Sequence, residues 1–160
     1  MDGRNVRPQS LALEAIMIAH DEALRFFNMN EQAAGLRDTF SALTAAHLVF
    51  QQSDLLKSIS VSDTLEDGSI DVMFNGIRIK FRMLLTVGDD RDLRGRVVCT
   101  YFHLTNGAPE YMALGAFSFD GQGDTDLPND ATGVAPSMRE DGPGIILKYL
   151  SKAIGANSTL

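Results

Sequence analysis

A single cysteine, Cys99, excludes a disulfide within the chain. Its flanks, VVCTY, are apolar, which fits a buried thiol in a reducing compartment better than a stapled secreted scaffold. Long hydrophobic runs are also missing. The stretch LALEAIMIA behind Arg4 and Arg7 has the outline of a secretion signal, but Glu14 interrupts it and His20-Asp21-Glu22 closes it. No small-x-small cleavage pattern is evident. Nothing approaches the roughly 20 apolar residues of a membrane span, so a soluble, cytoplasmic protein without a membrane partner is expected. Positive charge is scarce as well: 14 Lys and Arg against 21 Asp and Glu leave a net −7. Such a surface repels phosphate backbones and argues against nucleic acid as a partner.

Signatures of catalysis are equally thin. Neither His20 nor His47 heads an H-E-x-x-H pair, no E-x-x-H joins a carboxylate and an imidazole on one helix face, and no serine or cysteine sits in a G-x-S-x-G elbow. The glycines of GQGDTD and EDGPGI match neither a Walker loop nor a dinucleotide fingerprint. FSFDGQGDTDLPND, residues 117–130, has the acid and glycine content of a calcium loop. Counted from Asp120, however, it puts Thr125 where an EF-hand needs glycine and Ala131 where it needs a bidentate glutamate. The run Ser118 to Leu127 more loosely resembles the DxDGDGxxDL calcium loops of β-propeller repeats, but Ser118 and Gln122 occupy two ligand places and the repeats are absent. A turn with a bulge is expected there. No catalytic residue, metal or cofactor is expected, and an enzyme is the less favoured class.

What is present is a globular pattern. At 44% hydrophobic and 160 residues, the chain is expected to form a single α+β domain over residues 1–160 that buries roughly 70% of its unfolded surface. Residues 1–8 are expected to be flexible. Leu13, Ile16, Met17, His20, Leu24 and Phe27 recur at helical spacing, and Asn28-Met29-Asn30 reads as a stop and restart. Met29, Ala33, Leu36, Phe40, Leu43, His47 and Phe50 then alternate at four and three. That pattern predicts an antiparallel helical hairpin at the N-terminus, and its second seam suits self-association as a homodimer.

From Ile59 the period becomes two. Asn75-Gly76 is the dipeptide that a two-residue type I′ turn requires, and it places Phe74 opposite Ile77, Val72 opposite Ile79, Ile70 opposite Phe81 and Asp71 opposite Lys80. RVVCTYFHL reads as a central strand covered on both faces. Thr105-Asn106-Gly107 turns into YMALGAFSF, and IILKYLSKAIG forms a last helix stopped by Gly155. The result is a five- or six-stranded antiparallel meander, the sixth strand near Thr125–Leu127, with a C-terminal helix packed on the sheet.

Charge is segregated along this frame. Residues 120–144 form a long acidic loop, with six acidic residues and one basic between Asp120 and Asp141. Asp120, Asp124, Asp126 and Asp130 are its candidate contacts for a basic protein partner. Arg78, Lys80 and Arg82 share the outer face of one strand, with Arg91, Arg94 and Arg96 close by in sequence, and suit an acidic partner. The preferred reading is a small acidic protein-binding module without catalysis, of adaptor, chaperone, inhibitor or immunity type. The alternative is a small-molecule pocket between curved sheet and helices, an arrangement that resembles the NTF2-like group. Met73, Met83, Met112, Phe81, Phe102 and Tyr101 are its candidate lining, and Tyr101 and His103 its candidate acid or base.

Overall fold

The computed structural model describes residues 7–64 and 67–158. The expected flexible segment 1–8 therefore lies largely outside the described residues. Helix α1 (Arg7–Ser41) passes through a short 3₁₀ segment (Ala42–Ala45) into α2 (Ala46–Gln51). Five strands follow: β1 (Ile59–Thr64), β2 (Ser69–Phe74), β3 (Ile77–Val87), β4 (Leu93–Thr105) and β5 (Ala108–Phe119). An irregular segment then leads to α3 (Gly142–Ser158). The sheet is an antiparallel meander in the order β1-β2-β3-β4-β5, and the whole is an α+β arrangement.

The strands follow their turn chemistry. Asn75 and Gly76 take φ of 47° and 83°, the positive values a type I′ turn needs, and Asn106-Gly107 repeats the device between β4 and β5. Phe74 pairs with Ile77, Val72 with Ile79, Ile70 with Phe81 and Asp71 with Lys80, the register the turn predicts. The ion pairs run diagonally instead of straight across: Arg78 bonds Asp71 at 3.1 Å and Lys80 reaches Asp67 at 3.5 Å. A bulge interrupts the β4–β5 ladder between Cys99 and Thr100, opposite Gly115.

One face of the sheet carries the core. Ile70, Val72, Ile79, Phe81, Val97, Cys99, Tyr101 and Phe117 are buried there against Leu36, Phe40, Leu43 and Phe50 of the N-terminal helices and Ile145, Ile146, Tyr149 and Leu150 of α3. Tyr149 ties the layers together, edge-on to Phe81 at 5.6 Å and stacked on Phe117 at 5.9 Å. Each of these large side chains contributes about 1.5–3 kcal/mol on burial.

Several expectations fail, each for a local reason. Among the described residues no helical hairpin forms, because α1 continues through Asn28-Met29-Asn30. Asparagine inside a helix costs only about 0.7 kcal/mol relative to alanine, and no proline compels a stop. The seam from Ala33 to Phe50 is spent on the protein's own core and is not left for a second subunit. No sixth strand forms among the described residues; Thr125 makes one isolated bridge to Phe119 and Asp124 another to Ser137. Strand β4 is covered on one face only, since Arg96 is exposed and Val98, Thr100 and Phe102 are part-exposed on the side away from the helices. Helix α3 runs past Gly155 to Ser158.

Gly95 on β4 is buried against the ring of Phe119, and a methyl at its Cα would overlap that ring. Gly95→Ala is expected to destabilise the fold by about 1–3 kcal/mol through overpacking, measured as a lowered midpoint in urea.

Candidate functional site

The long segment after β5 is a closed structure built from its own carboxylates. Asp120 Oδ1 accepts the backbone N–H of Gln122 at 2.9 Å and of Asp124 at 3.0 Å. Asp126 accepts Ser118 N–H at 2.7 Å, which seals the end of β5. Asp130 accepts the N–H of Thr132 and Val134 and the Thr132 hydroxyl. Asp141 accepts Ser137 N–H at 2.7 Å. Asp120 and Asp130 bond backbone two and four residues onward, as short polar side chains do in compact turns, while Asp126 and Asp141 reach back along the chain. Buried Leu127 and Met138 anchor the segment in the core, Met138 N–H donates to Gly123 O at 2.8 Å, and Arg139 donates to Thr39 of α1 at 3.1 Å. This is how the segment stays ordered despite its charge. Among the described residues, no group of three His, Cys, Asp or Glu side chains is arranged to hold a metal.

The meander places this segment beside the β3–β4 loop, because Val87 pairs with Leu93 and Gly95 with Phe119. Between the two lies a cleft of about 560 Å³ walled by Asp89, Asp90, Asp120, Asp124 and Asp126. A hollow of about 420 Å³ against α1 shares Asp90 and Asp120 with it and adds Asp92. Arg94 is the cation common to both hollows, and it bonds Asp90 at 2.9 Å. Asp89, Asp90 and Asp92 are the members sequence reasoning missed. Their signal, GDDRDLRG, is a hairpin loop, and in an antiparallel meander a hairpin loop and the end of the strand two places on share one end of the sheet.

The other candidates are distributed elsewhere. Asp130 lies outside this cleft and contributes to a separate hollow with Leu127 and Lys148. Arg78, Lys80 and Arg82 stand on the open face of the sheet, Arg78 lying 5.7 Å over the Phe102 ring. Tyr101 and Met112 pair across β4 and β5. His103 stacks on Tyr101 at 5.4 Å, with Nε2 3.8 Å from Glu110. The Tyr101 ring is buried, and its hydroxyl donates to Asn157 of α3 at 2.9 Å. The remaining proposed lining is split, because Met73 and Phe102 point to the open face while Phe81, Met83 and Tyr101 point to the helices. His47 accepts Val61 N–H at 3.2 Å, and His20 is exposed on α1.

A scan against protein-family models finds no match, and searches of the curated proteins and of the solved structures find none either. Among the described residues, no helix is long and apolar enough to cross a membrane.

Three carboxyls are held below their ordinary value of 3.8: Asp130 by the Thr132 hydroxyl and N–H, Asp67 by the Ser69 hydroxyl and N–H, and Asp90 by the Asp92 N–H and Arg94. A carboxyl depressed on folding adds stability above its unfolded pKa of about 3.9 and loses it as pH falls through the lower folded value. The melting temperature should therefore hold from neutrality to about pH 5 and fall below about pH 4, and Asp130→Asn should shallow that fall. Burial pushes the Cys99 thiol far above its ordinary range, so Ellman's reagent should meet no reactive thiol in the native protein and one in denaturant.

Proposed function

We propose that the chain is a small cytoplasmic protein-binding module without catalysis, of adaptor, chaperone, inhibitor or immunity type, whose acidic cleft takes a basic segment of a protein partner. One observation carries the reading: aspartates from two segments far apart in sequence converge on one cleft, Asp89 and Asp90 facing Asp120, Asp124 and Asp126. Backbone N–H groups hold Asp90, Asp120 and Asp126 in place. Their positions are thus set before a partner arrives, which lowers the ordering cost of binding. A lysine- or arginine-rich segment is the complementary ligand, recruited over the Debye length of about 8 Å at physiological salt. Arg78, Lys80 and Arg82 offer a separate contact of opposite sign, and a homodimer belongs to the same reading, presenting two clefts in one assembly.

A fluorescently labelled lysine-rich peptide, titrated by anisotropy, tests the cleft. Asp89→Asn with Asp124→Asn is expected to weaken binding about tenfold, about 0.7 kcal/mol for each exposed carboxylate, and added salt should weaken the wild type further. Binding that is absent, or equal in the double variant, would refute the proposal.

A further inference from the structure

Helix α1 reverses its amphipathic side midway along its length. In its second half Ala33, Leu36 and Phe40 face the core, while Glu31 and Asp38 are exposed. In the first half the apolar seam runs through Met17, His20, Leu24 and Phe27, widened by Ile16 and Ala23. The two seams are out of step by two residues, Phe27 against Met29, and at about 100° per residue that turns one seam roughly 200° from the other on a continuous helix. The helix that packs its later turns on the sheet therefore points its earlier apolar seam away from it. Ile16, Met17, Leu24 and Phe27 remain 65%, 67%, 48% and 60% exposed.

We propose that this seam of α1 is the interface on which a second copy of the chain docks, helix against helix. The proposal rests on the homodimer of the functional reading and is independent of the cleft. The protein's own body cannot cover the seam while α1 stays in one piece, because the covering face lies on the other side of the helix. The spacing of three, four and three from Met17 to Phe27 is the one that lets two helices interlock side chains along a shared seam. A second copy carries the same spacing and meets it by twofold symmetry.

Size points the same way. The four large side chains expose on the order of 400 Å² per copy, within the roughly 300–600 Å² of the largest apolar patch on a typical monomer, a patch that is often functional. Two such patches with their flanking helix surface approach the roughly 1,200 Å² at which stable interfaces begin. The seam also adjoins, through Leu24, a groove of about 850 Å³ that exposed Val87 shares with Asp21, Arg25 and Arg91, so an incoming helix meets a mixed apolar and charged rim beyond the seam. The seam itself offers no carboxylate to a basic segment: on a helix Glu22 falls on the opposite side and Asp21 and Arg25 border the adjoining groove, which leaves His20 as the one ionisable member of the seam.

Sedimentation equilibrium of the full chain from low to high micromolar concentration tests the assignment. Wild type is expected at twice the chain mass, and Met17→Glu with Leu24→Glu at the chain mass. Both substituted residues are exposed, so the near-ultraviolet circular dichroism of the core should stay unchanged, and Glu22→Gln on the opposite side should leave the dimer intact. A wild type at the chain mass throughout would overturn the proposal, whether the seam stays bare or α1 folds back on its own body. So would a dimer that survives the double substitution. The labelled lysine-rich peptide should bind the monomeric variant as it binds wild type, and Asp89→Asn with Asp124→Asn should leave the dimer unchanged, so either idea can fail alone.

Discussion

The contact between Gly95 and the Phe119 ring is the constraint on which the rest of this end of the molecule depends. Gly95 stands three residues after the β3–β4 loop, and Phe119 stands one residue before the acidic segment. The two are register partners, and only the absence of a side chain on β4 lets the ring lie where it does. One close approach thereby sets both lips of the cleft. The aspartates on those lips follow directly from the paired strand ends.

Placing so many carboxylates at one end of a sheet is electrostatically unfavourable unless something offsets it. Backbone dipoles do much of this. Asp120, Asp126, Asp130 and Asp141 each accept at least one main-chain N–H, and a hydrogen bond to a charged acceptor is stronger than one between neutral groups. Arg94 on the facing strand and Arg139 within the acidic segment supply local cations. The turn geometry and the negative surface are two results of the same bonds. The carboxylates shape the segment, and the shaped segment holds them in register.

How much of this was legible depended on how local the cause was. The Asn75-Gly76 turn and its register were readable because two adjacent residues dictate backbone angles, and alternation then determines every facing pair down to Asp71 opposite Lys80. The course of α1 was not. Its two out-of-step seams are real features of the sequence, but they are equally compatible with a reversal at Asn28-Met29-Asn30 and with a straight helix whose apolar side changes. Only the packing of Leu36 and Phe40 on the sheet decides between them. Tertiary placement likewise hid Asp89, Asp90 and Asp92, which belong with Asp120 only once the meander brings two chain segments to one end. The basic strand was legible as a face, but its pairing was not, since Arg78 and Lys80 reach diagonally to Asp71 and Asp67.

The bulge opposite Gly115 also bears on how this molecule behaves in a crowded solution. Strand β5 borders the sheet, and a border strand ordinarily offers a ladder of main-chain groups to any passing chain. Here that ladder is broken in three places. Pro109 lacks an N–H, the irregularity at Ala113–Gly115 bends the middle, and Asp126 occupies the amide of Ser118 at the far end. No long run of open main-chain groups remains for a foreign strand to template on, so whatever engages this border must do so through side chains.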